Sequence, residues 1–157
     1  MPQTEYRTAI DLLRRTGIDL MTSVPATPSD VRALGDRLAF DLPPSYVAML
    51  MEFGCLAFEG REFYGWTRSG LDGAGIPNVV FATEYERRSG AVPITMLVIA
   101  SGGDGSLLVL DGENRGEDGE AAVYEIDEGG AANGRTRRAN SFGAFLLEEA
   151  GRALEEI

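Results

Sequence analysis

Two runs of adjacent carboxylates, Glu117-Asp118 and Glu148-Glu149, are the side chains whose spacing suits general acid–base work, with one member protonated and the other ionised. The first pair sits in a glycine-bounded polar stretch and the second on the polar face of a helical pattern. Neither setting desolvates a carboxyl enough to raise its pKa, so both read as solvated charges. Histidine is absent from the sequence, which removes Ser-His-Asp and Cys-His catalysis, histidine-held zinc and the usual base near neutral pH. Cys55 is the single cysteine. It has no second thiol for a disulfide or a cysteine-based zinc cluster, and its apolar setting between a helix end and a strand marks a buried structural thiol. Gly102-Gly103-Asp104-Gly105 lacks the lysine and hydroxyl of a phosphate loop, and no helix follows, so a tight hairpin turn is expected. Asp111-Gly112-Glu113-Asn114-Arg115-Gly116 opens with the spacing of a calcium loop. However, Arg115 falls where an oxygen ligand is needed and Ala122 takes the closing glutamate position. No catalytic residue, metal or cofactor is expected, and the protein is expected not to be an enzyme.

The elements carrying these residues are best specified between Thr27 and Trp66. Thr27 caps a helix that Pro28 opens, with Asp30 placing negative charge on its N-terminus and Val31, Leu34 and Leu38 forming one apolar face. Leu42-Pro43-Pro44 breaks the chain before a second helix buried through Tyr46, Met49, Leu50 and Phe53. Gly54 stops that helix, and Leu56-Ala57-Phe58 and Glu62 to Trp66 form short strands around Glu59-Gly60-Arg61. Tyr6, Ala9, Ile10 and Leu13 give an earlier amphipathic helix ended by Gly17. A flexible glycine-rich surface loop, 69–75, precedes a helix expected from Pro77 to Arg88.

Met96 to Ala100 is apolar on both faces and reads as an interior strand, with Ser106 to Asp111 as its hairpin mate and Ala121 to Asp127 as a third strand. Gly112 to Glu120 is expected to be an exposed, mobile acidic loop, and Gly129 to Asn140 a polar loop holding Arg135, Arg137 and Arg138, the one basic cluster. Ser141 caps a last helix whose apolar stripe runs from Phe142 to Ile157. Helices flanking hairpin-linked strands indicate a single α+β domain, with an antiparallel or mixed sheet of five or six strands packed by helices.

Composition narrows the partners. At 157 residues, 44% of them hydrophobic, one buried core is expected. Twenty-five acids oppose fourteen bases, a net charge of −11 that repels polyphosphate and favours a basic protein partner over nucleic acid. No apolar run approaches the ~20 residues of a membrane span. With no leader pattern at the N-terminus and a lone cysteine, a cytoplasmic protein without membrane contact is expected.

The helix over Pro28 to Leu38, the Leu42-Pro43-Pro44-Ser45-Tyr46 segment, the Phe53-Gly54 helix end and Phe63-Tyr64-Gly65 stand in an order that resembles the SMI1/KNR4 family, also called SUKH. Downstream, Met96 to Ala100, the Gly102 to Gly105 turn, Leu107 to Asp111, Val123-Tyr124 and Ser141-Phe142 through Phe145-Leu146 are similar too. The resemblance covers residues 25–157 and leaves 1–24 as a helix-and-loop extension. Bacterial members of this family are largely immunity proteins that neutralise polymorphic or contact-dependent toxins, often nucleases. The resemblance therefore implies a non-catalytic immunity protein binding a cognate toxin. The alternative is a regulatory or scaffolding interaction module of the same type. The contact residues follow from charge, not from the family. Asp111 to Glu128 holds eight acids and one base, a local charge of −7. Asp111, Glu113, Glu117, Asp118 and Glu120 are the leading candidates, with Asp104, Glu59 and Glu62 secondary and Trp66 as an aromatic anchor. The free protein is expected to be a monomer or weak homodimer.

Overall fold

Tyr6, Ala9, Ile10 and Leu13 recur at three- and four-residue steps, and all four are fully buried. They form the inner stripe of α1 (Pro2–Arg15) in a computed structural model that describes residues 2–157. Gly17, at φ +73°, ends the helix in the left-handed region that favours glycine. After the two-residue β1 (Met21–Thr22), Thr27 and Asp30 close a capping box. The Asp30 N–H donates to the Thr27 hydroxyl at 3.1 Å, and the Thr27 N–H donates to the Asp30 carboxylate at 2.9 Å. This starts α2 (Pro28–Leu38), and after the Leu42-Pro43-Pro44 break comes α3 (Pro44–Glu52).

Gly54, at φ +79°, lets the chain turn back into the hairpin of β2 (Leu56–Phe58) and β3 (Arg61–Phe63). Glu59 and Gly60, both at positive φ, make its two-residue turn. Next come α4 (Val79–Ser89), β4 (Met96–Ser101), β5 (Leu107–Arg115), β6 (Ala121–Ile126), β7 (Arg135–Ala139) and α5 (Phe142–Glu155).

The class is α+β with antiparallel pairing throughout the two sheets, and the strands divide as β1-β2-β3 and β4-β5-β6-β7 rather than forming one sheet. A single backbone bond, Tyr64 N–H to the Ile99 carbonyl at 2.8 Å, links the hairpin strand to the larger sheet. Phe142 and Phe145 of α5 meet Phe63 edge-on at 5.8 and 6.2 Å between ring centroids, while Tyr46 meets Phe142 at 5.3 Å. One aromatic core therefore joins α3, β3 and α5.

α1 lies along α5 and is part of this same core. Its outer edge is tied to α3 through Glu52, which accepts from the Tyr6 hydroxyl at 2.7 Å and pairs with Arg7 at 3.0 Å and Arg14 at 3.3 Å. Burial works to raise the Glu52 carboxyl, but the hydrogen bonds from Arg7 and Tyr6 outweigh it and hold the group below its ordinary value.

Four expectations are corrected. The acidic stretch from Gly112 to Glu120 is not a mobile loop: β5 continues through it to Arg115, leaving Gly116 to Gly119 as the hairpin tip. The polar stretch 129–140 contains β7, an edge strand whose arginines hid its pairing with β6. The glycine-rich loop is pinned, because the buried Asn78 donates to Thr67 Oγ1 and to the Gly70 carbonyl, both at 2.9 Å, while its own Oδ1 caps α4. That cap moves the helix start from Pro77 to Val79. Among the described residues, no helix is long and apolar enough to cross a membrane.

Candidate functional site

β5 separates the candidate acids into two groups. The eight steps between the nine residues of β5, at about 3.3 Å each, place the β4–β5 turn, with Asp104, roughly 26 Å from the β5–β6 tip, with Glu117 and Asp118. Glu117 and Asp118 are exposed at the tip, and Glu113 is exposed on the last part of β5. Its neck is fixed to the α2–α3 connection: the Arg115 guanidinium stacks on the Phe40 ring with 5.0 Å to its centroid and donates to the carbonyls of Asp41 and Gly119. Gly119 lies over the Pro44 ring. The tip is thereby held beside a groove of about 530 Å³, floored by the half-buried Val31, Leu42 and Val47 and rimmed by the exposed Asp36 and Asp41.

Asp111 and Glu120, the two candidates at the base of this hairpin, are 1% exposed and are not available to steer a partner. Asp111 pairs with Arg135 at 3.2 Å and accepts from Asn114 Nδ2 at 2.6 Å and from the Glu113 N–H at 3.0 Å. Glu120 supplies what α3 lacks. Pro43 stands at the N-cap of that helix and offers no side-chain acceptor. The Glu120 carboxylate accepts there instead, from the Ser45 N–H and from the Ser45 hydroxyl, both at 2.8 Å. The same hydroxyl oxygen accepts from the Gly143 N–H at 2.9 Å, which ties in the start of α5. Burial pushes the Glu120 carboxyl above its ordinary value, and the Ser45 hydrogen bonds oppose the shift.

The opposite end gathers Asp104, Asp127 and Glu128, since Gly105 lies against the Glu128 side chain. Asp104 is held below its ordinary value by the Ser106 hydroxyl and N–H, as expected for a carboxylate closing a tight turn. Beside it, a cleft of about 570 Å³ opens between β3, the β4 end and α5, with Glu59 and Glu62 on its wall. The cleft is mixed in charge. Arg61 bridges Glu149 at 3.2 Å and Glu156 at 2.9 Å, Arg138 pairs with Glu125, and Arg152 pairs with Glu148 at 2.7 Å. Trp66 is half-buried and covers Gly70, so most of its ring serves packing.

Cys55 is buried, with its thiol donating to the carbonyls of Trp66 and Pro77 at 3.4 Å, and burial pushes its pKa up. A thiol-specific reagent is expected to label native Cys55 only through unfolding, with the rate rising at least ~100-fold in denaturing urea. Fast labelling of the folded protein, followed by absorbance, would contradict that burial.

The groove acids Asp36 and Asp41 were missed by sequence reasoning because neither belongs to an acidic run. The available signal was their position at either edge of the α2 end, just before two prolines. Among the described residues, no group of three or more acidic or cysteine side chains is placed to hold a metal.

Comparison with curated proteins returned no match. A family model, SUKH_6, described as SMI1-KNR4 cell-wall, matches residues 29–146, a span running from the first turn of α2 through the aromatic half of α5 and leaving α1 outside it. With three quarters of its length matched in this way, the chain belongs to the SMI1/KNR4 (SUKH) family.

Proposed function

We propose that this protein is a non-catalytic immunity protein that binds a cognate toxin domain, of a basic nuclease type, and neutralises it by occupying its active site or substrate path. The supporting observation is the set of exposed carboxylates that take part in no ion pair among the described residues, at the two ends of β5, on a chain of net charge −11. A nuclease must attract phosphate, and an acidic surface competes for the same basic face. Such complementarity chiefly raises the association rate, while desolvated apolar contacts set the dissociation rate. Titration calorimetry against the toxin domain encoded beside this gene is expected to show binding that weakens at least ~10-fold between 50 and 300 mM salt. Absent binding, or an affinity indifferent to salt, would remove the reading.

The family description points to cell-wall proteins and favours a second reading, a regulatory or scaffolding interaction module. A gene set beside wall enzymes, with no toxin gene adjacent, is the outcome that reading expects.

A further inference from the structure

We infer that the cleft between β3 and β4 receives an extended basic segment of the partner protein, whose backbone pairs with Glu62 and Ser101 while its lysine or arginine side chains meet Glu59 and Glu62. This rests on the binding role proposed above and names its surface. The two sheets touch where the Tyr64 N–H donates to the Ile99 carbonyl. Beyond that bond the strands part, and residues 59–64 on one side and 100–103 on the other become facing walls of the cleft of about 570 Å³. The register of β4 with β5 shifts between Val98 and Ala100, and a bulge of this kind bends a strand at the point where the two separate.

The alternation of bonded and unbonded pairs along a strand fixes what the walls present. Tyr64 turns its N–H away from β2 to reach Ile99, so Glu62, two residues earlier, turns its N–H and carbonyl the same way. On the other wall the Gly102 N–H donates to the Ser106 carbonyl across the β4–β5 turn, so the adjacent Ser101 points its own N–H and carbonyl away from β5, toward β3. Both residues are exposed, and among the described residues neither backbone bonds a group outside its own hairpin. Each wall therefore carries an unpaired donor and acceptor, which an extended chain satisfies by adding as a strand.

Charge then selects the side chains of that segment. Five glutamates line the cleft against three arginines, and each of those arginines is already ion-paired with a glutamate. Glu59 and Glu62 are exposed and take part in no ion pair among the described residues, so they are left to meet incoming cations. The buried Leu108 and Phe145 and the exposed Ile76 add apolar contact in the same cleft. The outer edges of the two sheets suit this segment less: β1 has two residues, and β7 carries Arg135, Arg137 and Arg138.

The experiment follows amide hydrogen exchange by NMR in the free protein and in its complex with the toxin domain encoded beside the gene. The Glu62 and Ser101 amides are expected to exchange freely in the unbound protein and to slow at least ~10-fold on binding, while the Tyr64 amide is protected in both states. Two double variants of equal charge change accompany it: Glu59→Gln with Glu62→Gln in the cleft, and Asp36→Asn with Asp41→Asn at the α2–α3 groove, with melting curves to verify folding. All four carboxylates are exposed and outside the ion pairs found among the described residues. By calorimetry at about 50 mM salt, the cleft double is expected to weaken affinity at least ~10-fold and the groove double less than ~3-fold. If the wild type binds and either amide exchanges as in the free protein, or the groove double loses as much as the cleft double, the cleft is overturned while the binding role stands. If the wild type does not bind, both fall.

Discussion

Deletion of residues 1–16 is expected to abolish cooperative folding, even though α1 lies outside the family match. Tyr6, Ala9, Ile10 and Leu13 are completely buried, and their removal also uncovers the part of α5 that packs against α1. Burying three large side chains contributes roughly 5–9 kcal/mol, which is comparable to the whole stability of a domain at about 5–15 kcal/mol. A graded version is Leu13→Ala, expected to cost about 3 kcal/mol by urea unfolding and to lower the melting temperature by roughly 6–12 °C. A truncated protein that melts in one sharp transition near the wild-type temperature would show that α1 is dispensable.

Glu120→Ala is expected to cost about 3 kcal/mol, because it removes the acceptor for two buried Ser45 donors and leaves the α3 N-terminus without a cap. Glu120→Gln keeps an acceptor for the Ser45 N–H and removes a buried charge, so its stability at neutral pH should stay within about 1 kcal/mol of wild type. The two differ further in their response to pH. Because the Glu120 pKa is higher in the folded state than its ordinary value of 4.5, the folded state holds the proton more tightly. The contribution is fully present below pH 4.5 and is lost as pH rises through the folded value. Glu52, held below its ordinary value, works in the opposite sense and loses its contribution as pH falls. Subtracting the Glu120→Gln curve from wild type isolates the first effect. A difference curve that is flat above pH 4.5, or an Ala variant within 0.5 kcal/mol of wild type, would contradict the role of this network.

The sequence made local structure readable where the partners are close along the chain. Thr27, Pro28 and Asp30 form their capping box within one turn, Gly54 takes the positive φ that a helix stop requires, and the Ser141 hydroxyl caps α5 by accepting from the Ala144 N–H at 3.0 Å. It failed where the partner is distant. Glu120 reads as one more acid in an acidic run until Ser45, 75 positions earlier, is placed against it. Asp111 likewise needs Arg135, and the arginines that made 135–139 look like loop are the side chains that suit an exposed edge strand. Of the nine candidate contact residues, the six exposed acids fall on two separate ends. No reading of charge along the chain could have separated them, because the division depends on the length and direction of β5.

The clamp at the base of the acidic hairpin has an evolutionary consequence. Arg115 at the end of β5 and Glu120 just before β6 are each fastened to the body of the protein by groups outside the turn between them. Glu117, which takes part in neither anchor, can therefore change in charge without loosening them, whereas Asp118 accepts from the Glu120 N–H and Gly119, at φ +83°, offers its carbonyl to Arg115. Substitution at that exposed position can alter the surface charge of the hairpin while the scaffold beneath it is inherited unaltered, so surface chemistry and foldability can diverge at different speeds.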